Sequence, residues 1–171
     1  MKTSKKYTVL AVDDENNIRI SLTEILRDEF NIITAENGNN ALKIIEEIKV
    51  DVVLLDIMLP DIDGLEILKK MKESNDGVQI IMVTAVKDVN TGIKAMKLGA
   101  YDYITKPFDI DDIMATIKRA IETKNLAKEN LGLKKEIDYL RGEYKIIGQS
   151  EAIKKVIETI DKVADTPATI L

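Results

Sequence analysis

The stretch that most constrains the fold is a run of four apolar residues that ends in a carboxylate. Residues 52–55 read Val-Val-Leu-Leu, Asp56 follows directly, and Pro60 and Gly64 lie in the loop after it. An unbroken apolar run bounded by turn residues is typical of a strand buried on both faces of a parallel sheet. A carboxylate after such a strand lies where open α/β sheets bind their ligands. By itself, Asp56 is equally typical of a residue that braces the following loop.

The first part of the chain repeats this strand–helix pattern five times. The predicted strands are Tyr7–Val12, Ile32–Ile33, Val52–Leu55, Val78–Val83 and Tyr101–Ile104. Residues 37–39 and 75–77 are predicted turns, and apolar residues recur between the strands at helical spacing. The predicted inward faces include Ile48 in the second helix and Ile110 in the fifth, and Asp63 is a predicted helix N-cap. Five β-α pairs predict an α/β fold with a parallel sheet in the order 2-1-3-4-5.

Composition excludes several classes of function. The formal charge of −5 argues against nonspecific nucleic-acid binding, which needs a basic surface. The chain has no histidine and no cysteine, which excludes Ser-His and Cys-His catalysis and disulfides. A bound metal therefore needs oxygen ligands, which favours Mg²⁺ or Ca²⁺. No apolar run is long enough to span a membrane, and Asp13 interrupts the first one, so we expect a cytoplasmic protein.

Polar residues end four of the five predicted strands. Asp13 and Asp14 follow the first, Asp56 the third, Thr84 the fourth and Lys106 the fifth. Strands of a parallel sheet end at one edge, where clustered carboxylates repel one another unless a cation neutralises them. A lysine and a hydroxyl at the same edge can bind phosphoryl oxygens. This set predicts a site that puts a phosphoryl group on Asp56 with the help of a divalent metal.

Each of these residues also has an ordinary structural explanation. Asp13 could cap a helix, Thr84 could be a strand-end hydroxyl, and Lys106 could be a solvated side chain. Their occurrence together at the ends of successive strands favours the functional interpretation.

Residues 7–122 resemble the receiver domain of two-component response regulators. The motifs that carry the resemblance are Val12-Asp13-Asp14-Glu15, Leu54-Leu55-Asp56-Ile57-Met58-Leu59-Pro60, Val83-Thr84-Ala85 and Gly99-Ala100-Tyr101-Asp102-Tyr103-Ile104-Thr105-Lys106-Pro107-Phe108. They occur in the family's order and spacing. The resemblance implies a flavodoxin-like (βα)5 fold and a phosphoacceptor at Asp56 that is served by a sensor histidine kinase.

The resemblance also implies a Mg²⁺ site. Asp14, Asp56 and the main-chain carbonyl of Met58 would bind the ion directly, and Asp13 would act through water. One alternative is a metal-dependent phosphatase with an aspartyl nucleophile. Such enzymes usually carry a second aspartate two residues after the nucleophile, where this chain has Met58, so turnover of external substrates is disfavoured.

Three further residues would respond to phosphorylation according to the resemblance. Thr84 would close on the phosphoryl group, Tyr103 would turn inward behind it, and Lys106 would contact a phosphoryl oxygen. The family also suggests a cis bond between Lys106 and Pro107. It further suggests a homodimer formed by the face made of helix four, strand five and helix five.

A heptad pattern follows the fifth helix and predicts a helical linker over residues 123–142. Its members are Thr123, Leu126, Asn130, Leu133, Ile137 and Leu140. An Asn at an a-type position favours a two-stranded, in-register coiled coil, while Gly132 weakens the helix by roughly 1 kcal/mol. The alternative is one long amphipathic helix packed on its own domain.

The last residues resemble the opening of the AAA+ ATPase domain of sigma-54-dependent activators of the nitrogen-regulatory protein C class. Gly148-x-Ser150 precedes a predicted helix from Ile153 to Val163, and a strand is predicted from Pro167. No G-x-x-x-x-G-K-[ST] motif is present. We therefore interpret the chain as a receiver (1–122), a linker (123–142) and an incomplete ATPase segment (143–171).

The resemblance implies that the full-length protein also binds ATP, DNA and sigma-54 RNA polymerase, and that this segment itself does not bind DNA directly. The alternative is a receiver that controls an unrelated output domain.

Overall fold

A five-stranded parallel sheet forms the centre of the first of two compact units, Met1–Ala127. The computed structural model describes residues 6–74, 77–143 and 150–163. The strands are β1 (Thr8–Val12), β2 (Asn31–Ala35), β3 (Val52–Leu55), β4 (Gln79–Thr84) and β5 (Asp102–Thr105). Their order in the sheet is β2-β1-β3-β4-β5. The predicted strand order and fold class are confirmed.

Helices connect the strands and continue beyond them. They are α1 (Asn16–Leu26), α2 (Gly38–Glu47), α3 (Gly64–Glu73), α4 (Val89–Lys97), α5 (Ile110–Glu143) and α6 (Glu151–Val163). The register pairs Val12 of β1 with Ala35 of β2 and with Leu55 of β3. Since β1 and β3 end level with each other, the residues that follow them lie side by side.

Both faces of β3 are buried, as the apolar run predicts. Val53 and Leu55 belong to one core cluster, and Val52 and Leu54 belong to another on the opposite face of the sheet. The first cluster includes residues of α2 and α3, and the second includes residues of α1 and α5. Successive residues of a strand point to opposite faces, so a strand covered on both sides is apolar throughout.

Two predicted helix ends agree with the structure. Asp63 caps α3 by accepting a hydrogen bond from the Leu65 N–H at 2.8 Å. Gly99 follows the end of α4 with a φ of 95°, a conformation that glycine adopts without steric cost.

Three local predictions differ from the structure. The predicted turn at 37–39 is wrong, because the Asn37 side chain accepts a hydrogen bond from the Asn40 N–H at 2.9 Å and α2 begins at Gly38. Ile48 is 42% exposed because it follows the last turn of α2. Ile110 is 50% exposed because it is the first residue of α5 and precedes the packed face that begins at Ile113. Residues 75 and 76 of another predicted turn lie outside the described residues.

The second compact unit is Lys128–Leu171. It contains the C-terminal part of α5 and all of α6, where a helix is predicted. The Ser150 hydroxyl accepts a hydrogen bond from the Ile153 N–H at 3.4 Å at the start of α6. Gly148 and the strand predicted from Pro167 lie outside the described residues. Among the helices of the described ranges, none combines the length and apolar character that crossing a membrane requires.

Candidate functional site

An acidic loop after β1 forms the first part of the site. Asp13 is 2% exposed, and its Oδ1 accepts a hydrogen bond from the Glu15 N–H at 2.9 Å. The Arg19 guanidinium donates to the carbonyl oxygens of Asp13 at 2.6 Å and Asp14 at 2.9 Å. Asp14 itself is exposed. The loop therefore presents one buried and one accessible carboxylate, and α1 holds its backbone.

Asp56 follows β3 and lies beside this loop. It is 4% exposed, and its N–H continues the sheet by donating to the Val12 carbonyl at 3.0 Å. Its Oδ1 accepts a hydrogen bond from the Met58 N–H at 3.1 Å. The Met58 side chain is 65% exposed, so Met58 contributes to the site through its backbone.

Gly64 allows the loop after Asp56 to pack close to the start of α3. A Cβ on Gly64 would lie 2.2 Å from the Asp56 carbonyl oxygen and 2.6 Å from the Ile57 Cα. Real Cβ atoms do not approach backbone atoms so closely. The Gly64 N–H also donates to the Ile57 carbonyl at 2.9 Å. A side chain is therefore excluded at this position by the backbone that carries Asp56.

Lys106 joins the two acidic segments. Its Nζ lies 2.6 Å from Asp13 Oδ2 and 2.6 Å from Asp56 Oδ2. Its backbone N–H donates to the Thr84 carbonyl at 2.8 Å, which fixes the end of β5 to the end of β4. The peptide bond between Lys106 and Pro107 is cis.

Burial and ion pairing act against each other at this cluster. Burial acts to lower the pKa of Lys106, but hydrogen bonds to Asp13 and Asp56 outweigh it, and the pKa lies above its ordinary value. For Asp13 the balance is reversed. Burial raises its pKa more than the Lys106 and Glu15 hydrogen bonds lower it, so the charged form is disfavoured there.

The carboxylates fit a hard divalent cation. One oxygen from each of Asp13, Asp14 and Asp56 lies within 4.8 Å of the other two. Oxygen donors in such a cluster suit Mg²⁺, whose charge offsets the repulsion among them.

Thr84 and Tyr103 meet at Val86. Thr84 is fully buried, and its hydroxyl accepts a hydrogen bond from the Val86 N–H at 3.3 Å. The Tyr103 hydroxyl donates to the Val86 carbonyl. Burial raises the pKa of Tyr103, and the negative charges of Asp88 and Asp56 raise it further. These hydrogen bonds connect both side chains to the loop between β4 and α4.

The sequence of this chain matches a known protein family. A family model described as the response regulator receiver domain matches residues 9–118. The chain belongs to this receiver domain family. A receiver domain is a regulatory domain and not an enzyme family in itself, and receiver domains generally bind Mg²⁺ at their acidic pocket.

Curated and solved relatives extend the similarity beyond the receiver domain. The regulatory protein AtoC of Escherichia coli (strain K12) is 34% identical over 164 residues, which are 95% of this chain and 36% of AtoC. The crystal structure of NtrX from Brucella abortus in complex with ADP is 32% identical with a TM-score of 0.71, covering 94% of this chain and 35% of that one. The chain spans about a third of the length of the curated relatives that it matches.

A second similar structure contains the receiver domain alone. The BeF3-activated receiver domain of DrrB, a protein of Thermotoga maritima, is 34% identical with a TM-score of 0.64. The match covers 68% of this chain and 98% of that one.

The structure brings together the carboxylates and the lysine that the sequence singles out. The predicted linker residues all belong to one helix, α5. They are Leu126, Asn130, Leu133, Ile137 and Leu140. Arg19 and Gly64 hold the backbone of the site but were not predicted to do so. Their contacts depend on the paths of loops, and no sequence spacing marks an Arg that binds carbonyl groups five and six residues before it.

Proposed function

We propose that the chain is a phosphorylation-controlled module of a two-component transcription regulator, with Asp56 as the phosphoacceptor. The observation that carries this proposal is the position of the Lys106 Nζ, 2.6 Å from both Asp13 and Asp56. A lysine between two buried carboxylates is a ready partner for the oxygens of an incoming phosphoryl group.

The proposed reaction is phosphoryl transfer from a histidine of a sensor kinase. An Asp56 carboxylate oxygen attacks phosphorus, the P–N bond to the kinase imidazole breaks, and that nitrogen keeps the bonding electron pair. Asp14, Asp56 and the Met58 carbonyl would hold Mg²⁺ directly, with Asp13 acting through water. The ion would supply positive charge that offsets repulsion between the phosphoryl group and the carboxylates.

Lys106 orients the phosphoryl group in this proposal, and Thr84 and Tyr103 carry the response outward. Both of these side chains bind Val86, so a Thr84 hydroxyl that turned to the phosphoryl group would leave the Val86 N–H. A change at Asp56 would thereby reach the loop that leads into α4.

The proposed dimer face includes α4, the helix into which this loop leads. Three apolar residues of α4 are exposed there: Val89 at 73%, Ile93 at 48% and Met96 at 47%. Tyr103 lines the groove beside them. A second receiver domain that packed through α4, β5 and α5 would bury this exposed apolar surface.

The linker would join the two copies as a coiled coil. Leu126, Leu133 and Ile137 are 59%, 54% and 49% exposed along α5, in the predicted heptad positions. Burial of these side chains against a second copy would favour a dimer, and Asn130 would set its register.

We propose the same division of the chain as the sequence indicates: receiver 1–122, linker 123–142 and the start of an ATPase domain at 143–171. The similarity to AtoC and to ADP-bound NtrX across nearly the whole chain supports an AAA+ domain that activates sigma-54 RNA polymerase in a longer protein. A G-x-x-x-x-G-K-[ST] motif shortly after Leu171 in the gene would support this assignment. Its absence would favour an unrelated output.

Beryllofluoride tests the site without covalent chemistry. We expect wild type to bind it in the presence of Mg²⁺, as ¹⁹F NMR would detect, and Asp56→Ala to bind none. Analytical ultracentrifugation of the same samples tests the switch, since binding should change the dimer population. Equal ¹⁹F signals from both proteins would contradict the proposal. Continuous release of phosphate from a phosphodonor at an enzymatic rate would favour the phosphatase alternative.

A further inference from the structure

The carboxylate of Asp61 makes three hydrogen bonds to backbone N–H groups. Its Oδ1 accepts from Gly38 at 2.9 Å, its Oδ2 accepts from Asn39 at 2.9 Å, and its Oδ1 also accepts from Ile62 at 2.9 Å. Desolvation acts to raise the pKa of Asp61, but these N–H donors outweigh it, and the pKa lies below its ordinary value. Charge-assisted hydrogen bonds thus hold the exposed Asp61 side chain in one orientation.

These bonds join two segments that are distant in sequence. Gly38 and Asn39 are the first residues of α2, and Asp61 lies in the loop between β3 and α3. The first N–H groups of a helix have no partner within the helix, and a negative charge there is favoured by the helix dipole. The Asn37 side chain accepts a hydrogen bond from the Asn40 N–H. Asp61 accepts hydrogen bonds from the two preceding N–H groups, those of Gly38 and Asn39.

The loop between β3 and α3 is also held near its other end. The Met58 N–H donates to Asp56 Oδ1 at 3.1 Å, and the Gly64 N–H closes the loop by donating to the Ile57 carbonyl. The Met58 carbonyl lies between these attachments and the tip at Asp61. The Leu59 N–H, which belongs to the same peptide as the Met58 carbonyl, donates to the Ile57 carbonyl at 3.2 Å, so the direction of the Met58 carbonyl follows the path of the loop, whose tip Asp61 ties to α2.

We infer that Asp61 is a positioning residue for the metal site, which orients the Met58 carbonyl by tying the β3–α3 loop to the N-terminus of α2. This inference rests on the proposed function, in which the Met58 carbonyl is a Mg²⁺ ligand. Asp61 does not touch the cation. It acts as the outer partners of metal ligands do, by restricting the ligand to one orientation.

Three variants separate this role from simple helix capping and from charge. Asp61→Ala removes both acceptor oxygens and all three hydrogen bonds, and Asp61→Asn removes the charge but keeps an oxygen that can accept from Gly38 and Ile62. Asn37→Ala removes the other cap of α2 and leaves the loop unchanged. The dissociation constant for Mg²⁺ is measured on the whole chain from the chemical shift of the Gly64 amide in ¹H–¹⁵N NMR spectra. The melting temperature is measured in parallel.

We expect Asp61→Ala to weaken Mg²⁺ binding about tenfold, the lower end of the effect of outer-shell substitutions. Asp61→Asn should stay within about threefold of wild type and Asn37→Ala within about twofold, if orientation decides affinity. Both Asp61→Ala and Asn37→Ala should lower the melting temperature, because each uncaps α2. A Mg²⁺ affinity of Asp61→Ala within twofold of wild type would overturn the inference. Equal losses in Asp61→Ala and Asp61→Asn would also overturn it, since charge alone would then explain the effect.

The Asp14→Asn variant distinguishes failure of this inference from failure of the proposed function. If wild type binds Mg²⁺ and Asp14→Asn does not, the proposed metal site stands whatever Asp61 does. If wild type shows no saturable response to Mg²⁺, both the metal site and the role of Asp61 are refuted.

Discussion

Replacing Gly64 with alanine tests whether close backbone packing holds Asp56 in place. The new Cβ would lie 2.2 Å from the Asp56 carbonyl oxygen, 2.6 Å from the Ile57 Cα and 2.9 Å from the Asp56 carbonyl carbon. All three atoms belong to the backbone, so no side chain can turn away to relieve the contact. The Asp56–Ile57 peptide or the start of α3 has to move by roughly 1 Å to restore van der Waals distances.

The cost of this movement is estimated from two opposing effects. Overpacking of a tight site costs about 1–3 kcal/mol, and alanine in place of glycine in a helix gains about 0.5–1 kcal/mol. We expect a net loss of roughly 0–2.5 kcal/mol in the free energy of unfolding, centred on about 1 kcal/mol. If Asp56 is the phosphoacceptor, a displacement of this size should also slow its phosphorylation by about 10²-fold.

A second glycine of the same domain supplies the control. A Cβ on Gly92 would lie 3.8 Å from the Tyr103 ring, which is an ordinary contact. Gly92→Ala should therefore raise the free energy of unfolding by about 0.5–1 kcal/mol, the opposite sign. Urea denaturation measures stability, and intact mass after timed exposure to acetyl phosphate with Mg²⁺ measures the rate. If Gly64→Ala is as stable as Gly92→Ala and is phosphorylated at the wild-type rate, the steric reasoning is refuted.

Three further predictions concern charge and assembly. Burial raises the pKa of Asp13, so its ionised form opposes folding above the unfolded-state pKa. Asp13→Asn should therefore raise the melting temperature at pH 7 without Mg²⁺, and a melting temperature below that of wild type would contradict this. Lys124 lies 2.9 Å from Asp51, and its hydrogen bond, with that from the Thr8 N–H, outweighs burial and lowers the pKa of Asp51. Lys124→Met should therefore reduce the free energy of unfolding at pH 7 by about 1–3 kcal/mol in urea titrations, a difference that shrinks below about pH 4 as Asp51 is protonated. Asn130→Val should tighten the proposed linker dimer in sedimentation experiments, and an unchanged dissociation constant would contradict the coiled coil.

The sequence predicts the fold best where every residue of an element is buried. Val52–Leu55 is apolar at every position because both faces of β3 are covered, and that pattern identifies a central parallel strand without further information. Predictions fail at element ends, where one residue decides whether a side chain meets the core. Ile110 fits the spacing of the residues that α5 buries, but it begins the helix and is half exposed.

The site is predictable to the extent that topology decides it. Residues that follow parallel strands meet at one edge, so Asp13, Asp56 and Lys106 could be grouped before any coordinates were known. Asp61 could not, because its partners at the start of α2 depend on the path of a loop. The residues that we propose to bind the phosphoryl group are thus readable from strand order, whereas those that we propose to orient them require the structure.

In our proposal Asp56 itself receives the phosphoryl group, and mapping the covalent adduct tests this role most directly. The chain is incubated with acetyl phosphate and Mg²⁺, the acyl phosphate is trapped by reduction with borohydride, and peptides are sequenced by mass spectrometry. We predict that reduction converts Asp56 to homoserine in wild type, that omission of Mg²⁺ strongly reduces the yield, and that Asp56→Ala gives no product. Labelling of another carboxylate in wild type, or an undiminished adduct in Asp56→Ala, would contradict the account.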